Sequence, residues 1–132
     1  MDTLELMTGP YWRFLGMEVV ATPAGPAVRL EVREEHMQIM GRVHGGVLAS
    51  LIDSAIAVAV HAPMPDRSGA ATLDLNVQYL RPVVAPATLI AVGKVLSRGS
   101  AVALASAEVT GPDGGDPYAV GSASYRLYPA RS

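Results

Sequence analysis

The chain has 132 residues, of which half are hydrophobic and 17% are charged. This length suits one domain with a buried core, and the balance of residue types excludes an intrinsically disordered chain. A formal net charge of −2 offers no basic field for nucleic acid, and the lack of cysteine excludes disulfides and thiolate zinc sites. We therefore expect a single domain over residues 1–132 with no nucleic-acid partner.

The first half of the chain predicts a short helix, a hairpin and one long helix. Residues 4–15 are typical of a short helix, and residues 16–22 and 27–33 flank a PAGP turn as two strands of a hairpin. The long helix follows a Gly-Gly pair and runs to about His61, where the segment APMPDRSG ends it. Its polar centre and its proline-rich end argue for a buried core helix over a membrane span.

From Ala70 onward the sequence predicts strands. Between positions 72 and 79 apolar residues alternate with polar ones, the period of a strand with one buried face. Further strands are predicted at residues 88–98, 101–110 and 118–128, separated by the turn segments RGS and GPDGGDP. The order of hairpin, long helix and a meander of long strands predicts an α+β fold in which one sheet wraps one helix. The apolar members of the alternating run are Leu73, Leu75, Val77 and Tyr79, and the polar ones are Thr72, Asp74, Asn76 and Gln78.

The long helix carries one aspartate, Asp53, and no cation stands three or four positions from it. A carboxylate is seldom buried without a partner, so Asp53 either serves chemistry or lies on a solvated stripe with Ser50 and Ser54. His44 precedes Asp53 by nine positions, which puts the two on opposite helix faces and about 13 Å apart along the axis. If both act on one substrate, they come from different subunits of a two-fold dimer.

Gly45 and Gly46 open this helix, where unpaired N–H groups and the positive end of the helix dipole point outward. Such a helix end can hold a developing negative oxygen; alternatively, the glycines only let the helix pack tightly against the sheet. A mean hydropathy of +0.29 with so few charges predicts that some apolar surface is covered by another subunit. Oligomerisation is therefore expected.

The segment HGGVLASLIDSA, with MGRVHGG before it and LDLNVQYLRPV after it, resembles the hotdog-fold acyl-CoA thioesterases, in the phenylacetyl-CoA thioesterase-like (PaaI-like) branch. The resemblance covers nearly the whole chain, from FLGMEVV onward. It implies a long helix wrapped by an antiparallel sheet, assembled into homodimers or homotetramers. It also implies hydrolysis of acyl-CoA, with a short- or medium-chain or aryl-acetyl acyl group, by an enzyme that needs no metal ion or cofactor.

The resemblance implies roles for individual residues. The acid matching Asp53 activates water or attacks the thioester carbonyl, the backbone N–H matching Gly45 binds the carbonyl oxygen, and the matching His44 shapes that site. Gln38 stands where many members of the branch have asparagine; its amide could still orient the water or the thioester. Thr72 matches a position that bears a hydroxyl near the catalytic acid, or it is only a good strand residue.

A further set of residues either borders the substrate or has only packing and surface roles. An arginine near CoA either contacts one of its phosphates or lies solvated at the edge of a strand. For the aromatic cluster near the N-terminus the alternatives are the acyl pocket and anchoring of the N-terminal segment to the sheet. The expected substrate-binding residues are Gly46, Ile39, Met40 and Arg81, and the aromatic cluster is Tyr11, Trp12 and Phe14.

Other kinds of site have less support. The three histidines, His36, His44 and His61, form no HExxH pair or compact triplet, so no metal site is expected, and His36 and His61 are assigned surface or packing roles. The same fold could carry acyl-thioester hydratase or dehydratase chemistry, although the His-Phe-Pro start of the dehydratase pattern is missing. A third interpretation is a non-catalytic acyl-CoA-binding protein. Residues 1–10 show no signal peptide, which with the lack of cysteine predicts a cytoplasmic enzyme without a membrane partner.

Overall fold

A computed structural model describes residues 8–65 and 68–130. Of the short helix predicted at residues 4–15, the second part is confirmed, while residues 4–7 lie outside the described residues. The long helix is also confirmed, and every predicted strand is present. The strand predicted at residues 27–33 spans Gly25–Glu31 and the last strand begins four residues earlier, since both turns are shorter than PAGP and the glycine-rich segment indicated. In chain order the elements are α1 (Pro10–Leu15), β1 (Glu18–Thr22), β2 (Gly25–Glu31), a 3-10 turn (Glu34–His36), α2 (Gly45–His61), β3 (Gly69–Tyr79), β4 (Thr88–Arg98), β5 (Val102–Gly111) and β6 (Gly114–Tyr128).

The six strands form one antiparallel sheet in the order β1-β2-β4-β5-β6-β3. Helix α2 packs across one face of this sheet, chiefly on β4 and β5, which confirms the α+β plan of one sheet wrapping one helix. The last four strands are not one meander, however, because β3 pairs with β6 at the edge and only β4, β5 and β6 follow one another. The connection at residues 80–87 therefore passes two strands before β4 joins β2.

Two glycines let the sheet approach α2 closely. A Cβ atom built on Gly93 of β4 would lie 2.4 Å from the carbonyl oxygen of Ala55, and one built on Gly121 of β6 would lie 2.7 Å from the Ile52 side chain. Both distances are shorter than any ordinary contact, so these positions exclude a side chain. Because Ile52 and Ala55 flank Asp53, the same contacts fix the position of Asp53 over the sheet.

Strand β3 does not have the predicted buried face within the single chain. Leu73, Leu75 and Tyr79 are 58%, 37% and 54% exposed. The reason is that β3 is an edge strand, whereas α2 covers the middle of the sheet. The apolar side chains of β3 are consequently available to another surface.

A bulge in β3 also changes which side chains share a face. The register with β6 shifts between Thr72 and Asp74, so that Leu73 is the extra residue. Thr72 pairs with the buried Tyr125, and directly paired residues point to the same side of a sheet. The alternation in the sequence places Thr72 on the polar outer face with Asp74; the structure instead places it on the helix side with Leu75.

His36 and His61 are both buried, so the surface alternative for them is wrong. Nδ1 of His36 accepts a hydrogen bond from Arg33 N–H at 2.9 Å, and Nε2 donates to the Leu15 carbonyl at 2.7 Å. His36 therefore ties the 3-10 turn to the end of α1, which is a packing role. Within residues 8–65 and 68–130, no group of three or more His, Asp or Glu residues could hold a metal ion, and no helix is long and apolar enough to cross a membrane.

Candidate active site

A cavity of about 450 Å³ lies along one face of α2, between α1 and the beginning of β3; we call it the Asp53 cavity. The residues that α2 contributes recur every three or four positions, so they form one stripe on the helix. From α1 the cavity takes two of the three aromatic residues, Tyr11 and Trp12, whereas Phe14 is 75% exposed and lies outside it. The stripe on α2 consists of Ser50, Asp53, Ser54, Ala57 and His61.

Two hydroxyl groups hold the carboxylate of Asp53. Thr72 Oγ1 donates a hydrogen bond to Asp53 Oδ1 at 2.9 Å. The Tyr125 hydroxyl donates to the same oxygen at 2.5 Å and lies 2.8 Å from the backbone oxygen of Asp53. Oδ2 makes no hydrogen bond with any residue in the described part of the chain, so one carboxylate oxygen is fixed and the other is available to water or substrate.

Tyr125 is a site residue that the sequence analysis missed. Burial, together with the hydrogen bond to Asp53, raises the pKa of Tyr125 above its ordinary value of 10.0. The phenol therefore keeps its proton at neutral pH and remains a donor to Asp53. The alternation of β6 was the available signal, because it puts Tyr125 among buried residues, and a buried tyrosine hydroxyl needs a partner.

A second cavity, of about 290 Å³, lies at the N-terminal end of α2; we call it the Gly45 cavity. Gln38, Gly45 and Arg81 line it together with Tyr79, a residue that the sequence analysis assigned only to the strand. The Tyr79 hydroxyl donates to the Gly45 carbonyl at 2.8 Å, and a Cβ at position 45 would lie 3.2 Å from the Tyr79 ring. Glycine at position 45 thus gives the ring room to lie against the helix start.

His44 caps α2. Its Nδ1 accepts a hydrogen bond from Gly46 N–H at 2.8 Å, which requires a lone pair on Nδ1 and puts the proton of the neutral imidazole on Nε2. The N–H of Gly45 has no such partner among the described residues. The N–H of Gly46 is therefore hydrogen-bonded within the chain, whereas the N–H of Gly45 is available to a ligand oxygen.

The remaining predicted residues lie around the Gly45 cavity or outside it. Arg81 is held by the Asp116 carbonyl at 2.5 Å, and its guanidinium stacks 4.2 Å above the Tyr118 ring. The side-chain oxygen of Gln38, Oε1, accepts a hydrogen bond from the Met40 N–H, which turns the side-chain amide onto its own loop. Ile39 and Met40 are 99% and 73% exposed and line neither of the two cavities.

The structure thus brings the predicted residues together as two separate groups. Asp53 and Thr72 meet in one cavity, and Gln38, Gly45 and Arg81 meet in the other. Asp53 and Gly45 are eight positions apart on one helix, or about 12 Å along its axis. One chain alone therefore does not place its carboxylate and its free helix N–H around the same substrate atom.

Comparisons with known proteins agree with this architecture. Residues 40–118 match the sequence profile of the thioesterase superfamily. A Halobacterium salinarum protein named as an esterase is 40% identical over 126 residues, covering 87% of this chain and 82% of that protein. Acyl-coenzyme A thioesterase 13 of Mus musculus is 28% identical over 92 residues, which cover 70% of this chain and 65% of the mouse protein.

Solved structures show the same fold. A Bacillus halodurans protein crystallised with CoA superposes with a TM-score of 0.83 at 27% identity, covering 93% of this chain and 81% of that chain. A variant of the phenylacetic acid degradation protein PaaI of Thermus thermophilus superposes with a TM-score of 0.77 at 29% identity, covering 89% and 98%. Together with the wrapped helix and the single antiparallel sheet, these matches confirm the resemblance: the chain belongs to the thioesterase superfamily and is a hotdog-fold enzyme similar to PaaI.

Proposed function

We propose that the protein hydrolyses acyl-CoA thioesters to the free acid and CoA, at a site shared by two subunits. The observation that carries this proposal is the Asp53 carboxylate, which lines a cavity of about 450 Å³ and which two hydroxyls hold by one oxygen, leaving the other without a partner among the described residues. The name of the mouse relative and the CoA in the Bacillus halodurans structure support CoA thioesters as the substrate class. The acyl groups expected are short- or medium-chain or aryl-acetyl groups.

Asp53 acts as the general base through Oδ2. This oxygen takes a proton from water, the water oxygen adds to the thioester carbon, and the carbonyl oxygen becomes an oxyanion. The carbon–sulfur bond then breaks, and the CoA sulfur leaves as a thiolate that takes up a proton. The hydroxyls of Thr72 and Tyr125 stabilise the ionised carboxylate, since hydrogen bonds to a charged acceptor are the stronger ones.

Direct attack by Asp53 on the thioester is the other route that the resemblance implies. In that route Oδ2 itself bonds to the thioester carbon, CoA leaves, and water then cleaves the mixed anhydride. A single turnover in ¹⁸O-labelled water, combined with mass spectrometry of the rapidly quenched protein, distinguishes the two routes, because only direct attack leaves an acyl group bound to Asp53. We expect the label in the product acid and none in Asp53; label in the Asp53 side chain would establish nucleophilic attack.

The oxyanion needs a donor that the same chain cannot supply, because its own Gly45 lies about 12 Å away along α2. We infer that the free Gly45 N–H of the partner subunit serves this purpose, and that His44 holds the first turn of α2 in place by binding Gly46 N–H. Strand β3 supplies the surface for such a pairing, because it is one of the two edges of the sheet and its apolar side chains are exposed. The assembly is a homodimer, or a homotetramer built from two such dimers.

The Gly45 cavity suits the CoA end of the substrate. Arg81 offers a guanidinium that is already held in place by Asp116 and Tyr118, so little side-chain freedom is lost on binding a phosphate. Gln38 lines the same cavity; because its side-chain oxygen is held by the Met40 N–H, we propose that its amide nitrogen orients the thioester or the water. Ile39 and Met40 lie on the exposed loop that follows Gln38, and we propose that they contact the acyl group only across the subunit interface.

The activity is tested by measuring thiol release from a panel of aliphatic and aryl-acetyl CoA esters. We expect Asp53→Asn, which keeps the shape of the side chain, to lower kcat by about 100-fold or more for every substrate. Asp113→Asn is the matched control, because Asp113 lies exposed in the turn between β5 and β6, away from both cavities. Equal rates for native protein and Asp53→Asn, or turnover without thiol release, would refute the proposal.

The shared site is tested by mixing two inactive variants. Gly45→Pro removes the proposed donor at the first helical position, where proline is tolerated, and Gly45→Ala adds a Cβ while keeping the N–H. A heterodimer of Asp53→Asn and Gly45→Pro subunits has one site with both groups intact. Random mixing should therefore restore about a quarter of the native activity. If heterodimers form, as seen by native mass spectrometry, and no activity returns, the two groups do not share a site across subunits.

A further inference from the structure

His61 ends α2 inside the Asp53 cavity, and the mechanism above does not use it. It is only 8% exposed. Its Nδ1 lies 2.8 Å from the Ala57 carbonyl oxygen, and because a carbonyl only accepts, Nδ1 is the donor. Nε2 makes no hydrogen bond with the described residues. Every fully buried side-chain nitrogen or oxygen among those residues has a hydrogen-bond partner, so Nε2 is not fully buried. Nε2 must therefore reach open space, and the space that His61 borders is this cavity.

Ser54 is a second polar group on this stripe without a partner. One turn earlier, Ser50 donates to the Gly46 carbonyl at 2.8 Å and also bonds the Tyr11 hydroxyl at 2.7 Å. The Ser54 hydroxyl makes no hydrogen bond with any residue in the described ranges, although it lines the cavity and is half-buried. Ser54 and His61 are seven positions apart, two turns on one helix face. This part of the cavity is therefore lined by polar groups that the protein itself leaves unpaired.

The protonation pattern of His61 defines what it can bind. With the proton on Nδ1, the neutral imidazole presents a lone pair at Nε2 and accepts a hydrogen bond. A hydrocarbon chain seated against it would bury this acceptor without a partner, which is unfavourable. The bond to the carbonyl four residues earlier leans the ring back along α2 toward Asp53, which lies about 12 Å away along the helix axis.

We propose that His61 is a specificity-determining residue that accepts a hydrogen bond from a hydroxyl group on the acyl chain, several carbons away from the thioester. Straight-chain hydroxyacyl-CoA esters are then preferred over their unsubstituted counterparts. This inference rests on the proposed function, because it assumes that the acyl group occupies the Asp53 cavity. A site that hydrogen-bonds a substrate hydroxyl rejects the analogue lacking it, since the group in the site is then left unpaired.

The test uses pairs of straight-chain acyl-CoA esters of graded length, with and without a terminal hydroxyl. The quantity measured is the ratio of kcat/KM for the hydroxylated ester to that for the unsubstituted one. At one chain length we expect native protein to show a ratio of roughly 10 or more. His61→Gln and His61→Met form a matched pair, both unbranched and both good helix formers. Glutamine retains an acceptor and should keep part of the ratio, whereas methionine should bring it to about one.

Each outcome decides the proposal. A native ratio near one at every length overturns it, and so does a His61→Met variant, folded by circular dichroism, that keeps the native ratio. If the native protein hydrolyses no acyl-CoA, the proposed function fails, and calorimetric binding of the same ester pairs to Asp53→Asn judges His61 separately. The proposal is supported if Asp53→Asn binds the hydroxylated ester more tightly than the unsubstituted one and the double variant with His61→Met does not. Equal affinities of Asp53→Asn for the two esters overturn it.

Discussion

Gly93 tests how closely the sheet must approach helix α2. A Cβ at this position would lie 2.4 Å from the oxygen and 2.8 Å from the carbon of the Ala55 carbonyl, and 3.1 Å from the Ala59 Cβ. Ordinary contact begins at 3.4 Å, so Gly93→Ala requires the helix and β4 to separate by about 1 Å (3.4 − 2.4). The nearest atoms belong to the backbone, so no side-chain rotation relieves the contact. Overpacking costs about 1–3 kcal/mol, and we expect about 3 kcal/mol here.

Equilibrium denaturation at a fixed protein concentration measures this cost, because any subunit association adds to the free energy of unfolding. Gly111→Ala is the control: a Cβ there meets nothing within 4 Å, and we expect a change within about 0.5 kcal/mol. In thermal unfolding, Gly93→Ala should lower Tm by roughly 10 °C. If the two variants are equally stable, the sheet and α2 are not in direct backbone contact, and the reasoning about the placement of Asp53 is wrong.

Three further substitutions have expected outcomes of their own. Because burial and the hydrogen bond to Asp53 raise the pKa of Tyr125 above 10.0, the unfolded chain loses this proton first as pH rises. Between about pH 9 and pH 11, the free energy of unfolding of native protein should fall by about 1 kcal/mol more than that of Tyr125→Phe. Equal decreases, measured by urea denaturation at each pH, would contradict the raised pKa of Tyr125. His36→Ala opens a void and leaves the Arg33 N–H without its acceptor, while the Leu15 carbonyl keeps only the hydrogen bond from the Arg33 guanidinium at 3.0 Å. Unfolding should therefore become easier by about 2–4 kcal/mol, as thermal melts would show. Thr72→Val keeps the shape of the side chain but removes one hydrogen bond to Asp53, so kcat should fall about 10-fold with little change in KM; an unchanged kcat would assign Thr72 a strand role only.

The elements were predictable from the sequence because their signals are local. The Gly-Gly pair and the proline-rich segment bound the observed α2, Gly45–His61, and alternation with turn residues locates the strands. The neighbour of β3 was not predictable, since strand order depends on how the whole sheet closes around the helix. The bulge at Leu73 was likewise invisible, because the letters around it alternate as in a regular strand.

Within the candidate site, Asp53 was singled out as an acid without a cation on the long helix, and its role and Thr72 came from the family resemblance; their hydrogen bond is now seen. Tyr125 was missed because a tyrosine in an alternating strand is unremarkable until β6 and α2 are placed together. His61 was assigned a surface or packing role because an isolated histidine at a helix end carries no motif. Its importance arises only from burial combined with a free Nε2, which are properties of the folded chain.

The bulge in β3 also affects how related sequences should be aligned. Since Leu73 is the extra residue, a chain that lacked it would still pair Thr72 with Tyr125 and Leu75 with Ala123. A relative with a regular strand therefore needs a one-residue gap at position 73. Without that gap, residues before the bulge are matched one place out of register, and the Thr72 hydroxyl beside the Asp53 carboxylate is compared with a side chain that points to the opposite face. Loss or gain of a residue at this one position is thus a change in length that leaves the pairing of Thr72 with Tyr125 unaltered.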